Sequence, residues 1–394
     1  MGTSLTGYKV AGCIREIFPR SMNNNYSFRD WRPLTCLAMI CIFAGGVSPK
    51  SATAESIAKD VLLRNIVRDI IVPGYQELAA KCRALTVSVE DFSNTPTLES
   101  FETARKAWIA TVVASRQIQW LQTGPIADHE FIASFYYSKV LPIRIGNVLS
   151  STNAFEETYL GEIGAVAKGM FTLEYLLFGR KGNPAAETNA TNASVLELFS
   201  RAESPRCRQY IVALAHDLEA KAGQLASDWT ASGDQTAAAK FISGGQDSLN
   251  RIINHLAQNI EQVAEQRINF VLQLPHPITR QYDRIEGSPS GTSLDSVVAL
   301  LQGAQKLYQG NDEAGLEAYL KHLNAPLAGR AKGAFEAAVA AAKAIGVPLE
   351  EVVPNNRAPV ENAYEKVRAL EVLCKTDLPS ALGVTITFSS NDGD

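Results

Sequence analysis

The sequence predicts an all-α protein built as two helical bundles. Three observations carry this. Apolar residues recur at three- and four-residue steps through most of the chain, almost nothing alternates with a period of two, and Pro, Gly, Ser and Asn cluster between the periodic segments. At 394 residues and 46% hydrophobic content the chain is long enough for two such units.

The periodic segments follow in order. Ile57 to Leu85, Leu98 to Leu121, Phe155 to Phe178, Arg206 to Trp229 and Ala237 to Leu274 each read as a helix of bundle length. The breakers between them are "SNTPT", "TGP", "GRKGNPAAETNATNAS" and "ASGDQ". "QLPHPITRQYDRIEGSPSGTS", residues 273–293, is the densest run of turn formers. It sets a linker at 276–293, between a bundle over 55–275 and a four-helix bundle over 294–394. The second bundle is expected at Leu294 to Tyr308, Asp312 to Leu323, Leu327 to Ile345 and Val360 to Thr376, with Gly346-Val-Pro as a helix stop.

Residues 1–54 read as a signal peptide, with Met22 as a second candidate start. Arg29 and Arg32 precede the apolar run Leu34 to Val47, and Ala52-Thr53-Ala54 offers a cleavage site. The run is shorter than the roughly 20 residues that span a bilayer as a helix, so stable membrane insertion is not expected. Its removal takes the formal charge from −4 to −8. An acidic chain without a nucleic-acid motif does not point to a nucleic-acid partner. The location implied is periplasmic or otherwise exported, bacterial, which brings an envelope protein among the expected partners. Export permits disulfides. Cys82 and Cys207, near helix ends, are expected to pair and leave Cys374 free.

Chemical motifs are sparse. "HEFIA" opens like a zinc-protease helix but has Ala133 where a second His is needed, and His216, His255, His276 and His322 stand singly. No phosphate loop, nucleophile elbow or Cys-x-x-Cys is present. The exception is "GMFTLEYLLFG", residues 169–179, where Glu174 falls three and four residues after Phe171 and Met170 on an apolar stripe. A carboxylate there must be paired, hydrogen-bonded or protonated. Arg116, Arg144 and Arg284 are its candidate partners, and an arginine fork is the expected match. Glu286, Ser290 and Ser293 in "RIEGSPSGTS", and Ser389, Asn391 and Asp392 in the C-terminal "SSNDGD", add oxygen donors.

"GMFTLEYLLFG" resembles the central Gly-x-His-x-x-Glu motif of the imelysin-like family, exported bacterial proteins classed with metallopeptidases. "ARKAWIATVVASRQIQWLQTGP" at 104–125 and "LPSALGVTITFSSNDGD" at 378–394 resemble two further segments of that family. The resemblance implies two bundle-like all-α domains with a cleft at their junction, and a link to iron acquisition. Gly169 and Glu174 match the motif, whereas Phe171 stands in the place of the His. Phe has no lone pair, so metallopeptidase action at this motif is not expected. The function expected is binding of a small molecule or a metal ion, a divalent or iron cation, with Glu174 the best candidate ligand. A metallopeptidase and an envelope interaction scaffold are the alternatives. The expected ligand-binding set is Glu174, Arg116, Arg144, Arg284, Glu286, Ser293, Ser389 and Asp392.

Overall fold

A computed structural model describes residues 59–179, 192–201, 205–274, 284–310 and 315–387. Residues 1–54, expected as a signal peptide, residues 276–283 of the expected linker, which include His276, and Ser389, Asn391 and Asp392 lie outside the described residues. Every regular element among those described is helical, as the periodicity predicts.

Helical residues 59–66 run through a π-helical turn, Val67–Ile71, into α1, Val72–Asn94. The chain turns at "TPT", where Thr97 and Ser100 cap each other's backbone N–H groups and start α2, Leu98–Ile118. α3 is Pro142–Ser150, α4 Glu157–Glu162 and α5 Met170–Phe178. α6 spans Asn192–Ser200 and α7 Pro205–Thr230. α1 and α7 pack side by side and run in opposite directions, since Tyr75 stacks on Trp229 at one end and His216 meets Glu90 at the other.

α8, Ala237–Ser243, and α9, Gln246–Glu261, were expected as one helix. Gly245, at φ +53°, separates them, and after α9 the chain opens into a π-helix over Gln262–Asn269. Phe155 to Phe178 likewise divides, because Gly169 at φ +80° ends one path and starts another. α10 is Ser293–Gln309, α11 Leu316–Lys343, α12 Ala358–Lys375 and α13 Asp377–Leu382. α11 contains the two helices expected on either side of residue 325. Asn324 is non-helical there, and its side-chain oxygen accepts the Leu327 N–H at 3.1 Å, restarting the helix beside Pro326.

The described residues group as one compact unit. α10 lies along α2, so the helices that follow the expected linker share a core with those before it. The two backbones approach closely enough that a Cβ on Gly303 would sit 2.0 Å from the Gln117 carbonyl oxygen.

The expected Cys82–Cys207 disulfide does not form: Cys82, Cys207 and Cys374 are all free thiols. Cys82 sits near Glu219 on α7, whereas Cys207 lies beside Tyr210 in the first turns of that helix. Twelve residues of helix span about 18 Å, and a disulfide needs Cα atoms within roughly 4.4–6.8 Å. Burial pushes the Cys207 thiol up to about 11 and the Cys82 and Cys374 thiols higher still, so none is a ready nucleophile. Denatured, unreduced protein treated with iodoacetamide should therefore carry the label on all three cysteines in a peptide map. A Cys82–Cys207 crosslinked peptide would contradict this assignment.

Candidate functional site

Helix α5 is held from outside at both ends. Its entry demands glycine: at Gly169 a Cβ would meet the Ser134 carbonyl oxygen at 2.5 Å, on top of the positive φ. All its residues except the half-buried Tyr175 are buried, which is how a helix apolar on every side has to be placed. From α2, the Trp108 indole N–H donates to the Met170 carbonyl at 2.9 Å. One helical turn earlier, Arg105 Nε donates to the Leu177 carbonyl at 2.8 Å, satisfying an acceptor in the last turn of α5. The segments that resemble family motifs therefore touch: "ARKAW" grips "GMFTLEYLLFG".

Within α5, Glu174 is 4% exposed. Its Oε1 accepts the Ser290 hydroxyl at 2.5 Å and the Ser290 backbone N–H at 3.3 Å. Ser290 stands on a tight loop closed by the Thr292 N–H on the Gly287 carbonyl at 2.8 Å, with Gly287 and Gly291 both at positive φ. Burial raises the Glu174 carboxyl to about 7; the Ser290 hydrogen bonds oppose the rise, and the neighbouring Glu286 charge adds to it.

Arg116, the arginine of the expected set whose charge acts on Glu174, does not hydrogen-bond it. Fully buried on α2, it donates from Nη2 to Glu286 Oε1 at 2.8 Å and from Nη1 to Gln119 Oε1 at 2.5 Å. Arg267, from the π-helix, reaches the same carboxylate from the other side, with Nη2 3.1 and 3.2 Å from its two oxygens. Burial pushes the Glu286 carboxyl up, but Arg116, Arg267 and a hydrogen bond from Ser138 outweigh it, and the net shift is downward. The Arg116 guanidinium also lies over the Phe171 ring, 5.0 Å from its centroid. Phe171 is thus a cation–π platform where the family motif has an imidazole. The expected Arg–Glu174 pair is replaced by Arg–Glu286, since two guanidiniums converge on that carboxylate and Glu174 is left to a serine.

Beside this cluster opens a cavity of about 600 Å³. Glu174, Glu286 and Phe171 form part of its wall with Tyr175, Phe270, Val140 and Ile285, and Lys139 and Arg284 border it as exposed cations. Arg284 lies over Phe270 at 5.0 Å. Arg144 is exposed on α3 and not on this wall. Ser293 is buried at the start of α10, where its hydroxyl donates to Glu350 and accepts the Leu349 N–H. It knits a loop to the helix and does not face the cavity. Arg267, Gln119, Ser138 and Lys139 were not among the expected residues. No spacing marks them, since each becomes meaningful only once distant segments meet.

The donor set does not fit a metal ion. Among the described residues no three His, Cys, Asp or Glu side chains come together as a shell. Two guanidiniums bracket Glu286, and the ring of Phe171 offers no lone pair.

Against known proteins, the family model described as Imelysin matches residues 71–374. Iron-regulated protein A of Synechococcus elongatus is 23% identical over 295 residues, which cover 72% of this chain and 74% of that protein. The solved structure of an imelysin-like protein from Psychrobacter arcticum 273-4 superposes with a TM-score of 0.66 at 18% identity, covering 84% of this chain and 98% of the other. A structure from Parabacteroides distasonis ATCC 8503 gives 0.65 at 15% identity, over 83% and 95% of the two chains. At these identities the structural matches speak for the fold.

The raised carboxyl makes a prediction about stability. A folded-state value of about 7 against an ordinary 4.5 means that Glu174 favours folding while protonated. That contribution is complete below about 4.5 and is lost as pH rises through about 7. Glu174→Gln, which mimics the protonated acid, should therefore gain roughly 3 kcal/mol on the parent in urea unfolding between about pH 4.5 and about pH 8. A difference that does not vary with pH would show that Glu174 is ionised and well solvated or paired.

Proposed function

The chain belongs to the imelysin family, and on that premise we propose that it is an exported binding protein that holds a small organic molecule in the cavity beside Glu174 without hydrolysing it. The observation that supports this reading is the cavity itself. At about 600 Å³, with a largely apolar wall and a few convergent polar groups, it has the size and lining of small-molecule sites.

A metallopeptidase needs a metal-activated water and a base beside it. Here the imidazole position is a phenyl ring, and the second acid, Glu286, is neutralised by Arg116 and Arg267. Binding is the chemistry these residues favour over turnover. The Synechococcus relative is named for regulation by iron. For this chain that suggests synthesis in response to iron supply, with a ligand that need not be the metal. Export is supported by the order of basic, apolar and small residues in 1–54. No described helix is long and apolar enough to cross a membrane.

Native mass spectrometry of the protein recovered from iron-starved cells tests the reading. The parent should carry a non-covalent small-molecule adduct, and Val140→Trp, which fills the cavity from its wall, should lose it. An adduct-free parent, or an adduct indifferent to Val140→Trp, would overturn the proposal.

A further inference from the structure

The charges around the cavity are sorted by depth. Glu174 is 4% exposed and the Glu286 side chain 17%, whereas Lys139 and Arg284 are exposed. Phe171, Phe270, Val140 and Ile285 give the same wall its apolar and aromatic surface.

The two acids are not equivalent. Glu286 has its charge matched by Arg116 and Arg267. Glu174 has no cation bound to it among the described residues. Both of its hydrogen bonds, from Ser290, fall on Oε1, and Oε2 accepts none. A buried carboxylate with one oxygen unanswered, on the wall of an open cavity, is arranged to receive a donor from a ligand. Cations already use the aromatic faces around it, Arg116 on Phe171 and Arg284 on Phe270.

We propose that the cavity takes a small zwitterion, its ammonium group on Glu174, its anionic group toward Lys139 and Arg284, and an apolar body between them. The inference rests on the binding reading given above and narrows it to a ligand class. A simple anion would meet the Glu174 carboxylate and leave its Oε2 without a donor. A simple cation would meet Lys139 and Arg284 at the rim. A molecule with one charge of each sign, in the right order, avoids both penalties.

The experiment is calorimetric titration of the purified protein with the ω-aminoalkanoates from glycine to 8-aminooctanoate, and with the alkylamines and alkanoates of matching length. One or two intermediate lengths should bind at least about tenfold more tightly than either singly charged counterpart, the scale of a hydrogen bond to a charged group. Glu174→Gln should remove that advantage, and so should the double exchange Lys139→Gln with Arg284→Gln. The latter alters exposed side chains and keeps the test available if Glu174→Gln perturbs the fold. Alkanoates that bind as tightly as aminoalkanoates, an affinity indifferent to both sets of exchanges, or no binding of any aminoalkanoate would each overturn the inference. If a native adduct sensitive to Val140→Trp is nonetheless present, the binding reading stands and only the ligand class falls. If the adduct is also missing, both fall.

Discussion

A guanidinium with no access to water has to find its counter-charge inside the protein, and the arrangement around Arg116 follows from that requirement. Its side chain is fully buried on α2. Glu286 comes to it from the loop before α10, Gln119 from one turn along its own helix, and the faces of Phe171 and Tyr136 cover it at 5.0 and 5.7 Å. Removing one member of such a buried pair typically costs about 3–5 kcal/mol, because the other charge is left uncompensated. Arg116 therefore ties α2, α5 and the 285–292 loop into one geometry.

The chemistry of Glu174 is a consequence of this commitment. With Arg116 and Arg267 both taken by Glu286, the nearby acid on α5 is left with a hydroxyl and an N–H, which soften but do not cancel the cost of burial. Two carboxylates thus share a cavity wall in different states, one held ionised and one near the midpoint of its titration at neutral pH. Phe171 contributes to both outcomes: it supplies the ring on which Arg116 rests and withholds the lone pair that a metal would need.

Much of this was legible in the sequence, and the remainder was hidden for physical reasons. The 3.6-residue period located the long helices, and an acid within "GMFTLEYLLFG" marked Glu174 as a buried polar group needing a partner. The loop "EGSPSGTS" was visible as a source of donors, and two of its residues do reach the site. Which donor meets which acceptor was not visible. Arg116 and Glu286 are 170 residues apart, and only the packing of α10 on α2 decides that they pair. Hydrophobic periodicity also runs across Gly169 and Gly245, so it merged helices that positive φ angles divide. The disulfide expectation failed because proximity to helix ends says nothing of which turns face each other on α1 and α7.

The claim that Arg116 serves Glu286 and thereby leaves Glu174 with no cation bound to it among the described residues is most directly tested by carbon-13 NMR titration of protein labelled at the Glu carboxyl carbons. The Glu174 resonance is assigned by its loss in Glu174→Gln. The account predicts a midpoint near 7 in the parent, and a fall toward the ordinary 4.5 in Glu286→Gln, where Arg116 loses its partner and the neighbouring negative charge is gone. A parent midpoint near 4.5, or a midpoint that does not move in Glu286→Gln, would contradict it.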